Sequence, residues 1–208
     1  MRVTFDSGGL RLEGDWSAPA EPLAAAVVCH PHPQYGGDMD NAVVCTVATV
    51  LQQAGVATLR FNFRGVGGSQ GTYGGGAGEI EDARAAAAYV MARTGLAAVT
   101  LAGYSFGAMV ALRLGADWAA AERLIAVAPP LSFFDLAALA HCERPKLFVV
   151  GDRDAYCGVR ELDEQLAGVA APTMQRIIPG ADHFFVGHGS EIAAAVRSFL
   201  DATVTDAR

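Results

Sequence analysis

Ser105 stands between two glycines in Gly103-Tyr104-Ser105-Phe106-Gly107, and the chain changes character on either side of it. Ahead of it, Ala98-Val99-Thr100-Leu101 reads as a short buried strand, and behind it Met109 to Leu114 reads as a helix. A strand that turns directly into a helix crowds the backbone at the turn, so a Cβ at either flanking glycine would press on a neighbouring element. Such a turn lifts the Ser105 hydroxyl clear of the sheet edge. It also aims the first N–H groups of the helix, led by that of Phe106, at the place where an oxyanion would form. The chemistry on offer is attack by a hydroxyl on an acyl carbonyl. A plainer reading of the same stretch is a glycine-rich turn with a capping serine, and the pattern arises by chance roughly 0.1 times in a chain of this length and composition.

A serine hydroxyl is a poor nucleophile until a base takes its proton. Five histidines are available: His30, His32, His141, His183 and His188. His183 lies in Pro179-Gly180-Ala181-Asp182-His183-Phe184-Phe185, after the last expected strand and before the final helix, which puts it at the same sheet edge as Ser105. The base in turn needs a carboxylate to hold its tautomer and stabilise the imidazolium. Gly151-Asp152-Arg153-Asp154 follows the penultimate strand and offers two. Asp154, further into the loop, is better placed to reach the next strand's loop, whereas Asp152 is suited to capping the turn or pairing with an arginine. Asp182 adjoins His183 in sequence, and neighbouring side chains in a loop seldom face each other. The catalytic candidates are therefore Ser105, Asp154 and His183.

The elements that must position these groups alternate along the chain. Arg2 to Phe5 and Leu10 to Gly14 read as a hairpin around Asp6-Ser7-Gly8-Gly9, and Ala24 to Cys29 is apolar throughout, as in a strand buried on both faces. The loop His30 to Gly37 follows, then a helix capped by Asp40 or Asn41 and running to about Ala54, then a strand from Val56 to Phe63. After a glycine-dense loop come a helix from Glu79 to about Arg93, the Ser105 strand and helix, and a strand from Leu124 to Ala128. One short helix, Ser132 to Ala140, fits before the strand Lys146 to Val150, which leaves no room for a lid. A helix from Gly158 to Ala167, a strand from Gln175 to Ile178 and a helix from Gly189 to Leu200 complete the pattern, with 201–208 expected as a frayed tail. The fold class this implies is α/β: a mostly parallel sheet with an antiparallel N-terminal hairpin and helices on both faces. Ligands of such sheets bind beyond the carboxyl ends of the strands, where the polar loops fall.

A chain of 208 residues, 52% hydrophobic and 18% charged, is expected to form a single domain over 1–208. Its formal charge of −7 argues against nucleic acid or anionic membrane as a partner, since both need a basic footprint. The N-terminal residues read as a strand rather than a signal peptide, and a cytoplasmic location is expected. Cys29, Cys45, Cys142 and Cys157 are widely spaced and read as reduced, buried apolar residues.

From about Leu23 to Leu200 the chain resembles the α/β-hydrolase superfamily, close to its small, lidless dienelactone-hydrolase-like and esterase-like bacterial members. The likeness rests on five motifs: His30-Pro31-His32-Pro33 with Gly36-Gly37, Arg60 to Ser69, Gly103 to Gly107, Gly151 to Asp154, and Asp182 to Phe185. Their order gives nucleophile, acid and base as Ser105, Asp154 and His183, which is the superfamily's order. The resemblance implies a serine esterase of small acyl substrates, with no cofactor and no metal. It also implies an oxyanion hole of two backbone N–H groups, Phe106 and one from the loop after the first long strand. Pro31 and Pro33 have no N–H, so His32 is the expected donor and Gln34 the second choice. Many relatives carry His-Gly where this chain has His30-Pro31, and His30 is expected to tie that loop together.

His30-x-His32 also admits a metal reading, with Asp154 or His183 completing the set, but that would leave the Ser105 turn without a purpose. The glycine runs between Gly65 and Gly78 lack the lysine or helix-opening pattern of a nucleotide site. Arg64 is expected as a buried ion-pair partner anchoring that loop. Tyr35, Phe133, Tyr156 and Phe185 are candidate lining for a substrate pocket, each with a core position as the plainer alternative. A non-catalytic binding or scaffold protein of the same fold is the rival reading.

Overall fold

The computed structural model describes residues 1–204. One eight-stranded sheet runs through them in the order β1-β2-β4-β3-β5-β6-β7-β8. β1 (Arg2–Ser7) and β2 (Leu10–Ser17) form the hairpin, closed by Gly8 and Gly9 at φ +59° and +88°, the left-handed turn that matches the strands' own twist. β2 runs three residues past the expected Gly14 because its end pairs antiparallel with β4 (Val56–Phe61). From β4 onward every pairing is parallel, through β3 (Ala24–Cys29), β5 (Val99–Tyr104), β6 (Ala121–Val127), β7 (Lys146–Gly151) and β8 (Thr173–Ile178).

The apolar runs of the central strands follow from burial on both faces. Along β3, Ala25, Val27 and Cys29 enter one core while Ala26 and Val28 enter the other, and β7 divides Phe148 and Val150 from Leu147 and Val149 in the same way. The first core lies under α2 (Ala77–Thr94), α3 (Phe106–Gly115) and α4 (Val159–Leu166). The second lies under α1 (Ala42–Gln53) and α5 (Gly189–Val204), which also meet through Arg197 Nη2 to Gln53 Oε1 at 2.7 Å. The chain leaves β3 towards β4 and returns across it to β5. The order therefore reverses between β3 and β5, and the loops after these two strands open on that crevice.

Three expectations need correcting. The helix expected over Ser132–Ala140 is instead two 3-10 turns, Leu131–Phe133 and Ala137–Leu139. Phe134 is extended, which interrupts the segment, and the Leu136 N–H goes to Gln165 Oε1 at 2.8 Å rather than into a helix. The final helix continues through 201–204, where Thr203 is held by Arg123 Nε at 3.0 Å, so these four residues are helical. The rest of the expected tail, 205–208, lies outside the described residues. Finally, α2 begins at Ala77, two residues early, because Glu79 Oε2 reaches back to the Gly76 N–H at 2.7 Å. No helix among the described residues is long and apolar enough to cross a membrane.

Candidate active site

Ser105 occupies the junction of β5 and α3 with φ +55° and ψ −119°, a region that costs a side-chain-bearing residue about 1–3 kcal/mol. The surroundings fix it there. Its N–H donates to Val127 O at 2.9 Å, and its carbonyl accepts from Ala108 N–H at 2.9 Å and Met109 N–H at 3.2 Å. The two glycines are required by close approach: a Cβ at Gly103 would overlap the Gly107 carbonyl, and one at Gly107 would overlap the carbonyl of Cys29 on β3. Phe106 is the first residue of α3, so its N–H has no carbonyl one turn earlier within the helix.

His183 reaches Ser105 from the loop after β8. That loop is tied to the one after β7 by Arg153 N–H to Ala181 O at 3.0 Å and Gly180 N–H to Asp152 Oδ1 at 2.7 Å. Asp152 thus caps the turn, and Asp154 faces the imidazole. Nε2 of His183 lies 2.9 Å from Ser105 Oγ, and Nδ1 lies 2.8 Å and 3.0 Å from the two oxygens of Asp154. The Asp154 side chain is fully buried, and Oδ1 also accepts from Tyr156 N–H at 2.8 Å and Cys157 N–H at 3.0 Å, which spreads its charge over fixed donors. Burial pushes the neighbouring Cys157 thiol well above its ordinary range, so it stays protonated beside that carboxylate. Asp182 turns away and accepts the Phe184 N–H at 2.9 Å.

The loop after β3 closes the other side. His30 is wholly buried, with Nδ1 2.6 Å from Pro31 O and Nε2 accepting the Phe63 N–H at 3.0 Å. Both ring nitrogens hold backbone, leaving no lone pair for a metal. Burial lowers its pKa to about 4, so the ring is neutral. Gln34, the second choice expected as oxyanion donor, spends its N–H on His32 Nδ1 at 3.2 Å, while the His32 carbonyl takes Tyr35 and Gly37 N–H groups at 3.1 Å each. The His32 ring packs against Phe106 at 4.8 Å and Tyr73 at 4.9 Å, which sets the two loops side by side. Desolvation lowers the His32 pKa, and the charge of Glu79 opposes that shift.

Of the candidate pocket residues, Tyr35 packs at a tilt against His32 at 4.8 Å and Tyr156 packs on His183 at 4.7 Å, with Phe133 against Tyr156 at 6.2 Å. Phe185 does not line a pocket. It is buried in the second core against Tyr104, because a φ of +53° there turns it inward, and Phe184 faces the rim instead, 5.8 Å from His183. The sequence reading also passed over Tyr104, whose hydroxyl donates to His183 O at 2.8 Å. Its position two residues after Ala102, on the face shared with the β8 loop, was the available signal.

The strand order, the β5–α3 turn and the linked serine, histidine and aspartate define the α/β-hydrolase class. The sequence model of a family described as serine aminopeptidase, S33, matches residues 20–137. An uncharacterised protein of Rickettsia prowazekii is 35% identical over 209 residues, covering 96% of this chain and 88% of that protein. An alpha-beta serine hydrolase homologue from Coxiella burnetii is 34% identical with a TM-score of 0.89, over 95% of this chain and 96% of that one. A Xanthomonas campestris serine hydrolase described as lacking a lid is 31% identical with a TM-score of 0.84, over 97% and 94%. The chain belongs to the serine aminopeptidase S33 family of the α/β-hydrolase superfamily. The matched segment carries Ser105 and His32; Asp154 and His183 lie beyond it.

Proposed function

We propose that this serine hydrolase cleaves carboxylic esters of small molecules, with Ser105 as nucleophile, His183 as base and Asp154 as the group that orients it. Ser105 Oγ attacks the carbonyl while its proton passes to His183 Nε2. The oxyanion is held by the N–H groups of Phe106 and His32. The proton then moves from Nε2 to the departing alcohol, and water repeats the sequence on the acyl-enzyme to release the acid. The observation that carries this reading is the unbroken hydrogen-bonded line from Ser105 Oγ through His183 to Asp154, at 2.9 Å and 2.8 Å.

The test is a panel of chromogenic esters graded by acyl length, together with labelling by a fluorophosphonate. Ser105→Ala and His183→Ala are expected to lower kcat by up to about 10⁶ and Asp154→Ala by about 10⁴. Labelling that survives Ser105→Ala, or a larger loss in Asp152→Ala than in Asp154→Ala, would refute the assignments, and an unlabelled, inert wild type would point to a binding protein.

A further inference from the structure

Among the described residues, every aromatic side chain that stands well out of the protein lies around Ser105: Tyr35 is 86% exposed, Phe133 72%, Phe184 65% and Tyr156 40%. Three of the four gather beside the base. Tyr156 meets the His183 ring at 4.7 Å with planes 65° apart, Phe184 meets it edge-on at 5.8 Å, and Phe133 stacks on Tyr156 at 6.2 Å with planes 29° apart. This wall is built rather than loose. The Tyr156 N–H is held by the Asp154 carboxylate at 2.8 Å, and its carbonyl takes both the N–H and the hydroxyl of Ser132 at 3.2 Å and 3.3 Å. The carboxylate that orients the base therefore also fixes the aromatic face beside it.

Resting on the esterase reading above, we infer that the preferred substrates are esters whose alcohol carries an aromatic ring, bound on Tyr156, Phe133 and Phe184. The side of the scissile bond follows from the proton's route. Nε2 of His183 must hand its proton to the departing oxygen, so the alcohol lies along the His183 ring and the oxyanion on the opposite side, towards Phe106 and His32. The groups flanking that ring are flat π surfaces of low polarity. A planar ring stacks on them, while a saturated ring of the same carbon count offers equal apolar area without that geometry, and the difference amounts to about three- to tenfold.

Benzyl acetate and cyclohexylmethyl acetate share the acyl group and release alcohols of similar acidity, so their comparison isolates the wall. The expected kcat/KM ratio is about three- to tenfold in favour of the benzyl ester, whereas methyl phenylacetate and methyl cyclohexylacetate differ by less than about twofold. Phe133→Leu and Tyr156→Leu should bring the first ratio close to one, with fluorophosphonate labelling of Ser105 retained as the check that the site is intact. Equal rates on the benzyl and cyclohexylmethyl esters, a preference confined to the acyl-side pair, or a higher rate on an emulsified long-chain aliphatic ester would overturn the inference and leave the esterase reading standing. Inertness to all four esters with no labelling would remove both.

Discussion

Tyr104 Oη donates to the backbone carbonyl of His183 at 2.8 Å, so the residue before the proposed nucleophile holds the backbone of the proposed base. Burial pushes the phenol well above its ordinary pKa, and it remains a donor at any working pH. Tyr104→Phe keeps the ring and removes the hydrogen bond. Leaving the carbonyl unpaired should cost about 1–3 kcal/mol, or roughly 2–12 °C in Tm for a chain of this size. A shift of the imidazole by a fraction of an ångström should also lower kcat between about 3- and 100-fold with KM little changed. A lower Tm with unchanged kcat would mean that Asp154 alone positions the ring.

The proposed role of the His32 N–H as second oxyanion donor can be tested at the backbone itself. His32 has φ −56°, within the range proline imposes, so His32→Pro removes the N–H at a compatible backbone angle. Its expected effect on kcat is about 10²–10³-fold, the usual loss for one donor. His32→Ala removes the ring and its bond to the Gln34 N–H but keeps the donor, and should fall well short of that. Equal losses in the two variants would shift the role from the backbone to the imidazole.

What could be read in the sequence divides along physical lines. The strands β3 and β7 were visible to the residue or nearly so, because burial on both faces leaves an unbroken apolar run with polar loops at its ends. The approach of Ser105, Asp154 and His183 followed from topology, since parallel strands deliver every following loop to one edge. Side-chain direction within loops did not follow. Phe184 and Phe185 are equivalent in composition, and only the Asx turn at Asp182 and the positive φ at Phe185 decide which faces solvent. The 131–139 segment had a helix's composition, and the extended backbone at Phe134 and the competing bond from Leu136 to Gln165 divide it into separate turns. The span of α5 was underestimated because the contact from Arg123 to Thr203 joins residues far apart in sequence.

Asp82 anchors the glycine-dense loop from the inside. Its carboxylate is fully buried and accepts Ser7 Oγ at 2.7 Å, Arg64 N–H and Nε at 3.0 Å each, and Arg64 Nη2 at 2.7 Å. Removing the guanidinium alone strands a buried charge, so Arg64→Leu should cost about 3–5 kcal/mol. Asp82→Leu in the same chain removes that charge and should restore part of the loss. Urea unfolding of the two single variants and the double variant measures the coupling, expected at about 1–3 kcal/mol. Additive losses would show that the Ser7 and backbone bonds hold Asp82 without Arg64.

His30 makes the fold sensitive to acid in a window that can be stated in advance. In the native protein, Nε2 accepts the Phe63 N–H, and a second ring proton would oppose that N–H inside the core, 4.6 Å from the Phe63 ring. Burial accordingly lowers the native pKa to about 4, against about 6.5 in an unfolded chain. Between these values the unfolded chain binds a proton that the native one refuses, so stability falls as the pH drops from about 6.5 to about 4. Above that window neither state is protonated, and below it both are, so this residue adds no further slope. The whole effect amounts to about 3 kcal/mol. His30→Gln retains an acceptor and a donor but does not titrate. It should be less stable than wild type at pH 7 and lose about 3 kcal/mol less on going to pH 4 in urea unfolding, the other groups cancelling in the comparison. Parallel losses in the two proteins would place the acid sensitivity in the carboxylates instead.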